Sequence, residues 1–217
     1  MQLLAPPPAP AAPPLVALRD DGSVDPAHAS ALTGELAVAL YENMVLARAL
    51  DERLIALQRE GRITQHASAL GEEAAIIGAV AAMQDEDWVF PGSREFAAAL
   101  WRGVPLVAYA HHVFGTARDV GKGRDAPAPP FWKAARVAST SPLVGTHIPH
   151  AVGAAWAARI RKAAAATLVF FGEGATSTGD FHTGLNFAGV TRAPVIALCR
   201  NNGAATSTPA SRQTASA

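Results

Sequence analysis

Two short apolar runs, Ala166-Thr-Leu-Val-Phe-Phe171 and Pro194-Val-Ile-Ala-Leu-Cys199, flank a Gly-rich turn and a helical pattern over about Gly179 to Val190. A continuous apolar run of this length reads as a strand covered on both faces, and such strands belong to parallel sheets flanked by helices. Strand, helix and strand in close succession make a βαβ unit, whose crossover is almost always right-handed. This unit constrains the chain more than any other feature. It requires an α/β fold with a parallel sheet, and it says where to look for a ligand, because such sheets bind beyond the carboxyl ends of their strands.

The sequence ahead of that unit supplies helices. Thr33 is an N-cap candidate, and Leu36, Leu40, Met44, Ala47, Leu50, Leu54 and Leu57 recur every three or four residues up to Gly61. Further helices are predicted over Glu72 to Met83, Glu95 to Arg102, Leu106 to Phe114 and His150 to Lys162, with a long irregular stretch from Gly115 to Pro142. Residues 1–28 are rich in Pro and Ala, with no Lys or Arg before Arg19, and read as a flexible arm ahead of a domain over 29–217.

Composition narrows the function classes. Eighteen Lys+Arg balance 18 Asp+Glu, so no global field draws in nucleic acid or an anionic membrane. No apolar stretch is long enough to span a bilayer, which takes roughly 18 residues or more. The single cysteine, Cys199, has no intrachain partner, and a reducing cytoplasm is the expected compartment.

Both strands end in residues suited to ligand binding. The first runs into Gly172-Glu173-Gly174, the second into Arg200-Asn201-Asn202-Gly203. Glu173 and Asn202 lie 29 positions apart, about one βαβ unit, so adjacent strands bring them side by side. A carboxylate oxygen, an amide oxygen and a loop carbonyl are three hard donors. Mg²⁺ takes six at about 2.0–2.1 Å and fills the remainder with phosphate oxygens and water. Thr176, Ser177 and Thr178 open the next helix, whose free N–H groups suit an anion. An ordinary strand-to-helix turn explains either half alone, since short glycine motifs are common. The two halves at this spacing favour a magnesium-diphosphate site.

The stretch FFGEGATSTGDFHTGLNFAGV followed by CRNNGAATSTP resembles the thiamine-diphosphate motif in the alpha subunit of the 2-oxo acid dehydrogenases. The resemblance extends to YENMVLARALDERLIALQREGRI, GEEAAIIGA, SREFAAALWRG and SPLVGTHIPHAVGAAWAAR, from about residue 36 onward. It implies a parallel-sheet thiamine-diphosphate-binding fold with N-terminal helices. It also implies Glu173, Asn202 and the Ala204 carbonyl as magnesium ligands. Gly172, Gly174 and Ala175 would then line the diphosphate, Arg94 and Arg200 would neutralise it, and Ser93, Ser141 and Leu143 would lie along the cofactor. The implied partners are a beta subunit, in an α2β2 assembly, and a lipoyl-bearing acyltransferase core. The implied reaction is oxidative decarboxylation of a 2-oxo acid. The beta subunit supplies the glutamate that activates the cofactor, so no catalytic residue is assigned in this chain.

Pyruvate-type members of that family usually carry Asp between the two glycines, and branched-chain members resemble the GEG found here, so Glu173 leans toward a branched-chain substrate. A pyruvate enzyme and a truncated, non-catalytic relative that binds the beta subunit stay open. The chain departs from the family pattern at Ser93, normally tyrosine, at His147, commonly glutamine, and at Ala204, usually aromatic. Family members also continue past Ala217, so the fold is expected to lack its C-terminal part, exposing an apolar sheet edge. Among other candidates, adjacent His111 and His112 point to different helix faces, and His147 and His150 lack the acidic or Cys companions of a metal site. Cys199 is expected to pack.

Overall fold

The computed structural model describes residues 19–26, 33–125 and 131–213. Most of the arm expected over 1–28 lies outside the described residues. Its part at 19–26 closes a turn, in which the Arg19 amide donates to the Ser23 carbonyl, the Gly22 amide donates to the Arg19 carbonyl and Arg19 pairs with Asp25.

Helix α1 (Gly34–Arg59) starts where the Thr33 hydroxyl accepts the Leu36 amide at 3.2 Å, with Glu35 in its first turn and Arg59 in its last, matching the helix dipole. The apolar stripe read from sequence is its inner face: Ala47, Leu54 and Leu57 are buried, and Leu40, Met44 and Leu50 pack beside them. Helix α2 (Glu73–Ala81), strand β1 (Trp88–Phe90), and helices α3 (Phe96–Trp101) and α4 (Leu106–Val113) follow. Helix α5 (His147–Ile160) begins three residues before the expected His150, because Pro149 falls in the first turn, where no intrahelical N–H is needed. Then come β2 (Thr167–Gly172), a 3-10 turn (Glu173–Ser177), α6 (Gly179–Thr191) and β3 (Val195–Arg200). A small antiparallel hairpin, β4 (Ala204–Ala205) and β5 (Thr208–Pro209), and a 3-10 turn (Ala210–Arg212) close the described chain.

The sheet is parallel throughout, in the order β1-β2-β3. Central β2 separates two cores. Leu168 and Phe170 join the cluster under α1 to α4, whereas Val169 and Phe171 join Ile148, Ala151 and Ala175 on the side of α5 and α6. Gly184 lets these last two helices meet closely, since a Cβ there would lie 3.1 Å from Ile148 Cγ2. Asp87 ties β1 to β2 from below: its carboxylate accepts the Ala166 amide at 2.6 Å and the Gln84 amide at 2.8 Å.

Strand β3 departs from two-sided burial. Among the described residues it forms one edge of the sheet, with Ile196 half exposed and the Cys199 thiol exposed rather than packed. His112 and His111 do diverge: His112 Nδ1 meets buried Asp119 at 2.9 Å, while His111 Nδ1 meets the Thr116 hydroxyl. Among the described residues, no helix is long and apolar enough to cross a membrane.

Candidate functional site

The register Gly172↔Arg200 delivers Glu173 and Asn202 to the same end of the sheet, where a cavity of about 380 Å³ opens. Four segments line it. The end of β2 contributes Gly172, Glu173, Gly174 and Ala175, and the end of β3 contributes Arg200, Asn202 and Ala204. The segment after β1 brings Ser93 and Arg94, and the loop before α5 brings Ser141 and Leu143. These are the eleven residues singled out from sequence. Three of the four segments follow a strand's carboxyl end or run directly beside it, which is where a parallel sheet gathers polar loops.

Glu173 is 8% exposed, and its Oε1 is buried with no hydrogen-bond partner among the described residues. A buried carboxylate oxygen left bare is costly unless a positive group meets it. Beside it, the Asn202 side-chain oxygen accepts the Ala204 amide at 3.1 Å, and Asn201 does the same for Gly203 at 2.9 Å. These two local turns, with Gly203 at φ +84°, fold the Asn-Asn-Gly loop back toward Glu173. Gly174 makes the approach possible, because a Cβ there would lie 2.6 Å from the Ala205 Cβ.

The two cavity arginines are held from outside it. Arg200 lies between Glu72, paired with Nη1, and Glu95, whose Oε1 is 2.5 Å from Nη2. Glu95 is wholly buried, and that burial pushes its carboxyl above the usual range, with the Arg200 charge opposing the shift. Arg94 donates from Nη1 to the Ser68 carbonyl.

His147 lines the cavity as well. Its Nε2 lies 2.6 Å from the Phe170 carbonyl, an acceptor only, so Nε2 carries the hydrogen and the buried Nδ1 is a free acceptor. Burial lowers the pKa of the ring and so favours its neutral form, with the bond to the Phe170 carbonyl opposing the shift. The start of α6 is capped: the Thr178 hydroxyl accepts the Phe181 amide at 3.3 Å, so that amide is not free for an anion. Gly145, at φ +88°, lays the 143–146 turn against Thr178, and a Cβ there would meet Oγ1 at 2.5 Å.

Sequence reasoning missed Glu95 and Glu72 as partners of Arg200, and Asp51 and Ser68 behind Arg94. A signal existed for Glu95, a carboxylate set directly against the apolar Phe96-Ala-Ala-Ala-Leu100 run. The donor set around Glu173 suits a hard cation. Among the described residues no group of three or more His, Cys, Asp or Glu side chains is placed to hold a metal, so ligand or water oxygens would have to complete its shell.

Residues 41–217 match the family model described as Dehydrogenase E1 component. The chain is 42% identical over 179 residues to 2-oxoisovalerate dehydrogenase subunit alpha 2, mitochondrial, of Arabidopsis thaliana. It is 39% identical over 190 residues to the 2-oxoisovalerate dehydrogenase subunit alpha, mitochondrial, of Homo sapiens, and 36% over 180 to that of Caenorhabditis elegans. These alignments take in 82%, 88% and 82% of this chain but only 38%, 43% and 42% of the relatives. The chain thus spans about two fifths of the length of the curated relatives it matches. All three relatives are named as mitochondrial, which overturns the cytoplasmic expectation. A lone cysteine argues against disulfides, and that is a statement about redox state rather than about compartment.

Proposed function

We build our proposal on one premise: this chain belongs to the dehydrogenase E1 component family. Within that family we propose that it is the cofactor-holding part of the alpha subunit of a branched-chain 2-oxo acid dehydrogenase. The names of the three relatives support the branched-chain substrate, and Glu173 between two glycines supports the same side over pyruvate. In this reading the chain works with a beta subunit, and a lipoyl-bearing acyltransferase core receives the acyl group.

Thiamine diphosphate, when bound, supplies the nucleophilic carbon at which a 2-oxo acid loses carbon dioxide. The protein's task is position and charge. The bare Glu173 Oε1 carries the proposal: a buried carboxylate oxygen without a partner would be met by a cation, and the two arginines that line the same cavity would meet an anion. Glu173, the Asn202 side-chain oxygen and the Ala204 carbonyl would hold Mg²⁺, leaving positions for diphosphate oxygens. Arg94 is the freer cation for the diphosphate, since Arg200 already serves two carboxylates. Gly174 and Ala175 line the wall against which the phosphates would lie. Ser93 offers a hydroxyl, and Ser141 and Leu143 close the side of the cavity. Exposed Leu143 and Val144 at its mouth would exclude water once a ligand is seated.

Calorimetric titration of thiamine diphosphate into the full chain with its beta partner tests this. Binding is expected to require Mg²⁺ and to weaken roughly tenfold or more in Glu173→Ala and in Asn202→Ala. If both variants bind as the parent does, with or without Mg²⁺, the site is misassigned.

A further inference from the structure

Asp51 lies mid-way along α1, is completely buried and does not line the cavity. A buried carboxylate is retained only where it is well satisfied, and this one is satisfied by a single segment of chain. Its Oδ1 lies 2.6 Å from His66 Nε2, and its Oδ2 accepts the Ala69 amide at 2.7 Å and the Ser68 hydroxyl at 3.2 Å. One turn earlier on the same helix, Arg48 Nε pairs with Glu73 Oε1 at 2.5 Å, and Glu73 Oε2 accepts the Gly71 amide at 2.9 Å. Residues 66–73 are therefore fastened to α1 at both ends, by Asp51 at 66–69 and by Arg48 at 73.

Between those anchors the segment turns its remaining polar groups the other way. The Ser68 carbonyl accepts from Arg94, and the Glu72 carboxylate pairs with Arg200. Each cavity arginine thus takes a contact from a strap whose own position is set on α1. We propose that Asp51 is a positioning residue of the cavity, fixing the 66–73 strap so that the Ser68 carbonyl holds the Arg94 guanidinium toward a bound diphosphate. This rests on the reading of the cavity as a diphosphate site and adds a residue that the cavity lining does not include.

The experiment is a double-mutant cycle on thiamine diphosphate binding, run on the full chain with its beta partner in the presence of Mg²⁺. The variants are Asp51→Asn, Arg94→Ala and the pair. Asn keeps the shape and one acceptor oxygen but loses the charge that three donors share. Asp51→Asn is expected to weaken binding about tenfold in the parent and less than about twofold once Arg94 is alanine, since residues acting through one contact are not additive. A loss through general loosening would be the same in both backgrounds, and such equal losses overturn the proposal. If Asp51→Asn does not fold, His66→Phe takes its place. It keeps a ring against Phe96 and removes the bond to Asp51, and its smaller loss is expected to show the same dependence on Arg94. Parental binding by Asp51→Asn beside a weakened Arg94→Ala overturns this inference alone. Parental binding by Arg94→Ala also overturns this inference, and the reading of the cavity is then decided separately by Glu173→Ala.

Discussion

Gly174→Ala is expected to bind thiamine diphosphate about a hundredfold more weakly than the parent, with little change in melting temperature. The new methyl would sit 2.6 Å from the Ala205 Cβ, a separation that carbon atoms do not tolerate, so one side must move by most of an ångström. The Gly174 side is anchored, because Phe171 and Ala175 are buried in the core beneath α5 and α6. The other side is a hairpin of two two-residue strands, its second strand exposed, and it is the side that yields. Ala204 lies in that hairpin and Asn202 in the loop entering it, so two of the three oxygen donors move away from Glu173 together. Mg²⁺ demands near-ideal octahedral geometry, which makes such a displacement costly for binding and nearly free for folding. Ala205→Gly in the same chain removes the colliding atom and leaves the Ala205 Cα at 3.6 Å, an ordinary contact. Calorimetry should therefore show binding restored in the double variant. A Gly174→Ala chain that binds normally, or one that Ala205→Gly does not rescue, would show that the hairpin is not part of the cation site.

The parts of this architecture that were legible in the sequence are those with a period or a fixed spacing. The α1 stripe, the apolar runs of β2 and β3 and the Glu173–Asn202 interval each follow from one repeating rule, and the sheet register converts the interval into proximity. Strand β1 was not legible, since Trp88-Val-Phe90 is too short for any pattern, and its place comes from pairing with Thr167 to Val169. The β4–β5 hairpin was equally silent, being built of Ala, Thr, Ser and Pro with Thr206 at φ +56°. The partners of the buried carboxylates Asp51 and Glu95 were hidden for a different reason. A charged letter in a helical pattern reads as a solvated face, and only the fold shows that its partner comes from far along the chain: 17 and 18 positions away for Ser68 and Ala69, and more than a hundred for Arg200. The donor set was readable one residue at a time, and the groups that hold its arginines were not.

Those hidden partners make Arg200→Met the variant with the largest expected effect on folding. Removing one member of a buried ion pair typically costs roughly 3–5 kcal/mol, on the order of 10 °C in melting temperature for a chain of this size. The cost falls on Glu95, which is wholly buried, and much less on Glu72, whose side chain is 24% exposed and can turn to water. It also acquires a pH dependence of known sign. Burial already raises the Glu95 carboxyl, and losing the opposing Arg200 charge raises it further. A carboxyl whose folded pKa exceeds its unfolded value of about 4.3 binds more protons in the folded state, so its contribution to stability is intact below that value and is lost as pH rises through the folded one. The gap between variant and parent should therefore be small near pH 4 and wide at pH 8, as read from urea unfolding at both. Glu95→Gln added to Arg200→Met leaves a neutral amide in place of the stranded charge, and should recover most of the loss at pH 8 while changing little near pH 4. A gap that is equally wide at both pH values would place the cost in lost packing of the arginine stem, and would remove Glu95 as the group that fixes Arg200 in the cavity wall.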